Sequence, residues 1–71
     1  MNETTKILYE KAKFFKDREL VVHISKKNNW FHNGKIIVLK HDFIILMDEI
    51  TGEMPIFFDE IFEIEKREEK E

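Results

Sequence analysis

The feature that most constrains this chain is a change of hydrophobic period at Asp17. Before it, Leu8, Ala12 and Phe15 recur at helical spacing, with Ile7 and Phe14 widening the apolar stripe. After it, Leu20, Val22 and Ile24 interleave with Val21, His23 and Ser25, which is the two-residue period of a strand. A chain of 71 residues buries only about 60% of its unfolded surface, too little for two self-sufficient cores. Helix and strands must therefore share one core in a single domain, 1–71. The reading predicts a helix over about 4–16, capped by Asn2 or Thr4, a β domain over about 19–65, and a solvated charged tail over 66–71.

Turn chemistry divides the β region. Lys26-Lys27-Asn28-Asn29 is a turn-forming cluster because asparagine tolerates left-handed backbone and caps turns with its side chain. Asn33-Gly34 is the competing turn, but placing the turn there leaves Trp30-Phe31-His32 as an extension of the first strand. With the earlier turn, Gly34 falls inside the second strand, where a missing side chain permits a bulge or a sharp bend. Ile36 to Leu39 and Phe43 to Met47 are short apolar runs separated by Lys40-His41-Asp42, so both faces of that hairpin need cover. Pro55 has no amide hydrogen to donate, which puts the Met54-to-Phe58 strand at an edge or Pro55 at a bulge. Ile61-Phe62-Glu63-Ile64-Glu65 alternates again as a fifth strand. Strands are expected near 19–25, 30–40, 43–48, 53–58 and 61–65, burying Leu20, Val22, Ile24, Ile36, Val38, Ile45, Ile56, Phe62 and Ile64.

Composition bounds the function. With 42% hydrophobic and 38% charged residues, the chain is too apolar for a disordered polypeptide and too charged for a membrane protein. It has no cysteine, so disulfides, thiolate zinc sites and cysteine nucleophiles are excluded. The opening MNETTKILYEK is charged where a leader needs an apolar core, and a cytoplasmic protein without membrane contact is expected. The net charge of −3 conceals an asymmetry of +4 over residues 1–47 and −7 over 48–71. The first part is suited to an anionic partner, and the second to a cationic one or to pairing with the first.

A helix directly before Leu20-Val21-Val22-His23-Ile24, the Gly34-Lys35-Ile36 step, Ile45-Leu46-Met47-Asp48 and Glu60-Ile61-Phe62-Glu63-Ile64 together resemble the Sm-like small barrel of Sm and Lsm proteins and their bacterial host-factor relatives. The likeness spans most of residues 5–65. It implies a mainly β fold, an N-terminal helix followed by a five-stranded, strongly bent antiparallel SH3-like or Sm-like barrel, that self-associates into a homo-oligomer and binds RNA. In that family, bases sit against loops after the second and fourth strands, here Lys40-His41-Asp42 and Asp59-Glu60. The chain departs from the family at both. No asparagine follows Asp42 within Phe43-Ile44-Ile45-Leu46, and Phe58-Asp59-Glu60 stands where an apolar residue, a cation and a glycine belong. Carboxylates there repel a phosphate backbone.

Among candidate chemistries, a turn at Lys27-Asn28 would set His23 and His32 opposite each other on adjacent strands, where two imidazoles could share a metal, with His41 as the third histidine. A stable site needs three or four ligands, and no third ligand is fixed by the sequence, so no metal or other cofactor is expected. Asp48/Glu49 and Asp59/Glu60 lack the partly dry cleft that would separate their pKa values, and no nucleophile–base pair accompanies them. The expectation is therefore a protein that is not an enzyme. The sharpest feature is Lys26 to His32, which combines cations, amides and rings around one turn. A base can stack on an exposed ring while lysines hold its phosphate, and Lys26, Lys27, Trp30, Lys35 and Lys40 are the candidate contacts. The alternatives are that Trp30 and Phe31 close the end of the core, and that the protein is an interaction or structural module whose acidic half and Pro55-Ile56-Phe57 edge recruit another polypeptide.

Overall fold

The computed structural model describes residues 2–67. Helix α1 runs Glu3–Asp17 and begins where Asn2 Oδ1 accepts from the Thr5 N–H at 2.7 Å. It ends in a Schellman pair, the Leu20 N–H donating to Phe15 O and the Glu19 N–H to Lys16 O, with Glu19 at φ 54° in the left-handed position that glycine usually fills. Leu8 and Ala12 are buried, Tyr9 and Phe15 pack beside them, and Ile7 and Phe14 stay half exposed. The Arg18 guanidinium covers the Phe14 ring at 3.7 Å.

Five antiparallel strands follow: β1 Val21–Lys26, β2 Phe31–Leu39, β3 Phe43–Asp48, β4 Gly52–Phe57 and β5 Ile61–Lys66. They form one sheet in the order β4-β3-β2-β1-β5. The sheet is not closed, since β4 and β5 are its two edges and no ladder joins them among the described residues. The predicted edge position of the proline strand holds, with Pro55 opposite Ile45 on β4. The first two residues of the predicted solvated tail belong to the fold, because Lys66 pairs with Val22 and the Arg67 N–H donates to Val21 O. The remainder of the tail, 68–71, lies outside the described residues.

Val22 and Ile24 of β1, Ile36 of β2, Ile44 and Leu46 of β3, Ile56 of β4, and Phe58, Ile61 and Ile64 form the core with Leu8 and Ala12. Each fully buried aliphatic or aromatic side chain contributes roughly 1.5–3 kcal/mol relative to exposure. Two register shifts decide which residues enter. On β2, Ile36 pairs with Leu46 and Val38 with Ile45, leaving Ile37 as the extra, outward residue. On β5, Glu63 pairs with Ser25 and Ile61 with Lys26, leaving Phe62 as the extra residue. A bulge of this kind bends its strand and breaks the period of two. Phe62, expected inside, is therefore exposed, and Ile61 takes its place in the core. Ile45 is also displaced. The register Gly34↔Asp48 turns Ile44 and Leu46 inward and leaves Ile45 half buried, as are Leu20 and Val38.

Gly34 pairs with Val22 on one side and Asp48 on the other. A Cβ there would sit 1.9 Å from Met47 O and 2.7 Å from the Met47 carbonyl carbon, so the position admits only hydrogen. The glycine that the sequence placed inside a strand serves close backbone approach.

Candidate functional site

The turn between β1 and β2 is built by its two asparagines. The Lys26 N–H donates to Trp30 O at 2.7 Å and the Asn29 N–H to Lys26 O at 3.1 Å. Asn29 takes φ 70°, and Asn28 Oδ1 accepts from the Trp30 N–H at 3.1 Å. With the backbone thus satisfied, the rings that follow are left out of the core: Trp30 is 67% exposed and Phe31 60% exposed. The turn is fastened to the single 3₁₀ turn Phe58–Glu60 by the Lys27 N–H donating to Glu60 O at 2.9 Å.

That fastening brings the start of β5 alongside. Phe62, 72% exposed, joins Trp30 and Phe31 around a groove of about 330 Å³ whose walls also include Lys26, Lys27 and Asn29. Phe62 was missed in the sequence because Ile61 and Phe62 are equally apolar, and only the bulge decides which one faces out. The Phe31 ring packs 5.2 Å from His23, whose Nδ1 is 2.8 Å from Asn33 Oδ1. Lys26 is only 18% exposed along its side chain, and its Nζ lies 3.5 Å from Glu60 Oε1. Lys27 is exposed.

Of the five predicted contacts, the fold gathers Lys26, Lys27 and Trp30. Lys35 lies in mid-sheet opposite Val21 and Met47. Lys40 is in the β2–β3 turn, its N–H donating to Phe43 O, at the opposite end of β2 from Trp30. Neither shares the groove.

On the other side of Trp30 and Phe31 lies a second groove of about 260 Å³, bordered by Ile50 and Thr51 and reaching His32 and Asp48. Asp48 is buried. Its Oδ1 accepts from the Ile50 and Thr51 N–H groups at 2.7 and 3.0 Å, and its Oδ2 lies 3.1 Å from His32 Nδ1. The two backbone donors, and after them His32, hold the Asp48 carboxyl below the usual carboxylate range against the opposing effect of burial. Both carboxylate oxygens of Asp48 are thus engaged in holding the β3–β4 turn against β2.

The shared-metal geometry is not formed. The register sets His23 opposite Asn33 and His32 opposite Ile24, so the two imidazoles point to opposite faces of the sheet, and no metal-ligand cluster occurs among the described residues. The loops at Lys40-His41-Asp42 and Asp59-Glu60 lie close together, the Phe58 N–H donating to Asp42 O at 3.0 Å. The groove between them, about 340 Å³, carries Asp42 and Asp59 beside His41, Thr5, Phe57 and Phe58, a poor surface for phosphate. No described helix is long and apolar enough to cross a membrane. No family model and no curated protein matches this chain.

Proposed function

We propose that this chain is a non-enzymatic, cytoplasmic Sm-like module that self-associates and binds single-stranded RNA weakly and with little sequence preference. The observation that carries the reading is the convergence of Trp30, Phe31 and Phe62 with Lys26 and Lys27 around one groove. Rings stack on any base and ammonium groups attract any phosphate, so such a site takes single strands without reading sequence. The element order, helix then five strands with β4 and β5 at the edges, supports the Sm-like resemblance. The departures at Asp42 and Asp59 shift the binding site from that family's loops to the β1–β2 turn.

Self-association is supported by two strand edges that are unpaired among the described residues and by the exposed apolar residues Ile37, Met47 and Phe57, the last with its ring 5.4 Å from that of Phe43. Repeating a weak site in an assembly raises avidity with no new contact at any single site. The same residues favour a second reading, a module whose edge and exposed apolar side chains recruit another polypeptide without nucleic acid.

Trp30 is the only tryptophan, so its fluorescence reports stacking directly. Titration with oligouridylate should quench it, with log affinity falling against log salt by about 0.7 per phosphate contact. Replacing Lys26 and Lys27 with alanine should make that slope shallower, whereas Trp30→Ala should weaken binding with little change of slope. Absence of binding at low salt would reject the RNA reading in favour of the polypeptide one. Sedimentation as a monomer at high micromolar concentration would reject self-association.

A further inference from the structure

The site has a carboxylate inside it. Glu60 makes three contacts there: its backbone oxygen accepts from the Lys27 N–H at 2.9 Å, its Oε2 accepts from the Phe57 N–H at 3.1 Å, and its Oε1 lies 3.5 Å from Lys26 Nζ. The first two fix where the side chain stands, so its second oxygen is held beside Lys26, whose side chain is only 18% exposed. Lys26 cannot swing far from that position, and Glu60 is anchored on a tight turn. A phosphate approaching Lys26 therefore meets a cation already partnered, and must either displace the carboxylate or settle for Lys27 alone.

We infer that Glu60 is an internal competitor for phosphate that sets the affinity of this site low. The inference rests on the RNA reading above and assigns its regulation to one residue. It also gives the acidic second half of the chain a local role: a carboxylate from the 3₁₀ turn neutralises a lysine from the basic half at the point where an anion would bind. Asp59 is the natural comparison, because it is exposed on the same turn and makes no ion pair among the described residues.

The test is Glu60→Gln, which removes the charge while leaving a side-chain oxygen for the Phe57 N–H. Circular dichroism and a thermal melt establish that the variant folds. With oligouridylate at low salt, Glu60→Gln should bind about two- to fivefold more tightly than the unmodified chain, the range expected from freeing a partly exposed ion pair. Its salt slope should steepen by about 0.7 as Lys26 gains a phosphate contact. Asp59→Asn, the same change of net charge, should give a smaller gain and no steeper slope. In a Lys26→Gln background, which keeps most of the stem, the effect of Glu60→Gln should vanish. Unchanged binding in Glu60→Gln, an equal gain in Asp59→Asn, or a gain that survives in Lys26→Gln would overturn the competition while leaving the RNA reading intact. Failure of every variant to bind RNA at low salt, with inorganic polyphosphate failing too, would overturn both.

Discussion

Strand β2 and the turn that leads into it contain two regions that treat their side chains in opposite ways. Around Gly34 everything is committed: the backbone of β3 occupies the space of a side chain, His32 is paired with Asp48, and Asp48 holds two amides of the next turn. Only a few residues earlier, at Trp30 and Phe31, large rings stand in solvent with no core to fill. The difference separates what β2 does for the fold from what it offers to a ligand. Substitutions near Gly34 should act on stability, and substitutions near Trp30 on binding.

The largest effect is expected at Gly34. Gly34→Ala forces a methyl group into the Met47 carbonyl, and because the obstacle is backbone, relief requires β2 and β3 to separate. A loss of about 3 kcal/mol or more is expected, enough to unfold a domain of this size or to lower its midpoint by well over ten degrees in a thermal melt. A melt within about two degrees of the unmodified protein would show that β2 and β3 part easily and would remove the contrast.

Next comes Asp48. Asp48→Ala removes the acceptor of the Ile50 and Thr51 N–H groups and the buried partner of His32, which should cost about 1–3 kcal/mol in urea unfolding at neutral pH. The carboxyl titrates lower in the folded chain than its ordinary 3.8, so it stabilises the protein fully above that ordinary value. The stabilisation is lost as pH falls through the folded-state value. Asp48→Asn should accordingly flatten the acid limb of the stability profile below about pH 4. An acid limb identical to that of the unmodified chain would contradict the assignment.

At the tip the expected stability changes are small. Trp30→Ala and Phe62→Ala should each leave unfolding within about 0.5 kcal/mol of the parent while weakening oligouridylate binding by about 1–3 kcal/mol for each lost stacking contact. A large loss of stability from Trp30→Ala would move this ring into the structural region and dissolve the comparison. Outside both regions, Glu19→Gly should stabilise the fold by about 1 kcal/mol, because a residue with a Cβ is held there at positive φ. This small gain calibrates the unfolding measurement.

Much of this was legible in the residues themselves. Period, caps and turn chemistry are local properties, so the helix beside Asn2, the turn at Asn28 and Asn29, the glycine inside β2 and the proline on an edge strand could all be read from neighbours in the chain. Strand ends also fell within two residues of those expected. Where the chain offers consecutive apolar residues, local information gives no preference for one face. Phe43-Ile44-Ile45-Leu46-Met47 can present either alternate set inward, and the pairing of Gly34 with Asp48 selects Ile44 and Leu46. Ile61 and Phe62 are likewise interchangeable until β1 imposes its bulge. The sequence by itself determined the kinds of element, their order and the cationic aromatic turn, because these depend on residues close along the chain. Only the tertiary structure decided that the sheet stays open, that His23 and His32 face apart, that Lys35 and Lys40 lie away from the site and that Phe62 and Glu60 complete it. Each of those follows from register and bulges between strands distant in sequence, where moving the pairing by one residue turns a side chain from one face of the sheet to the other.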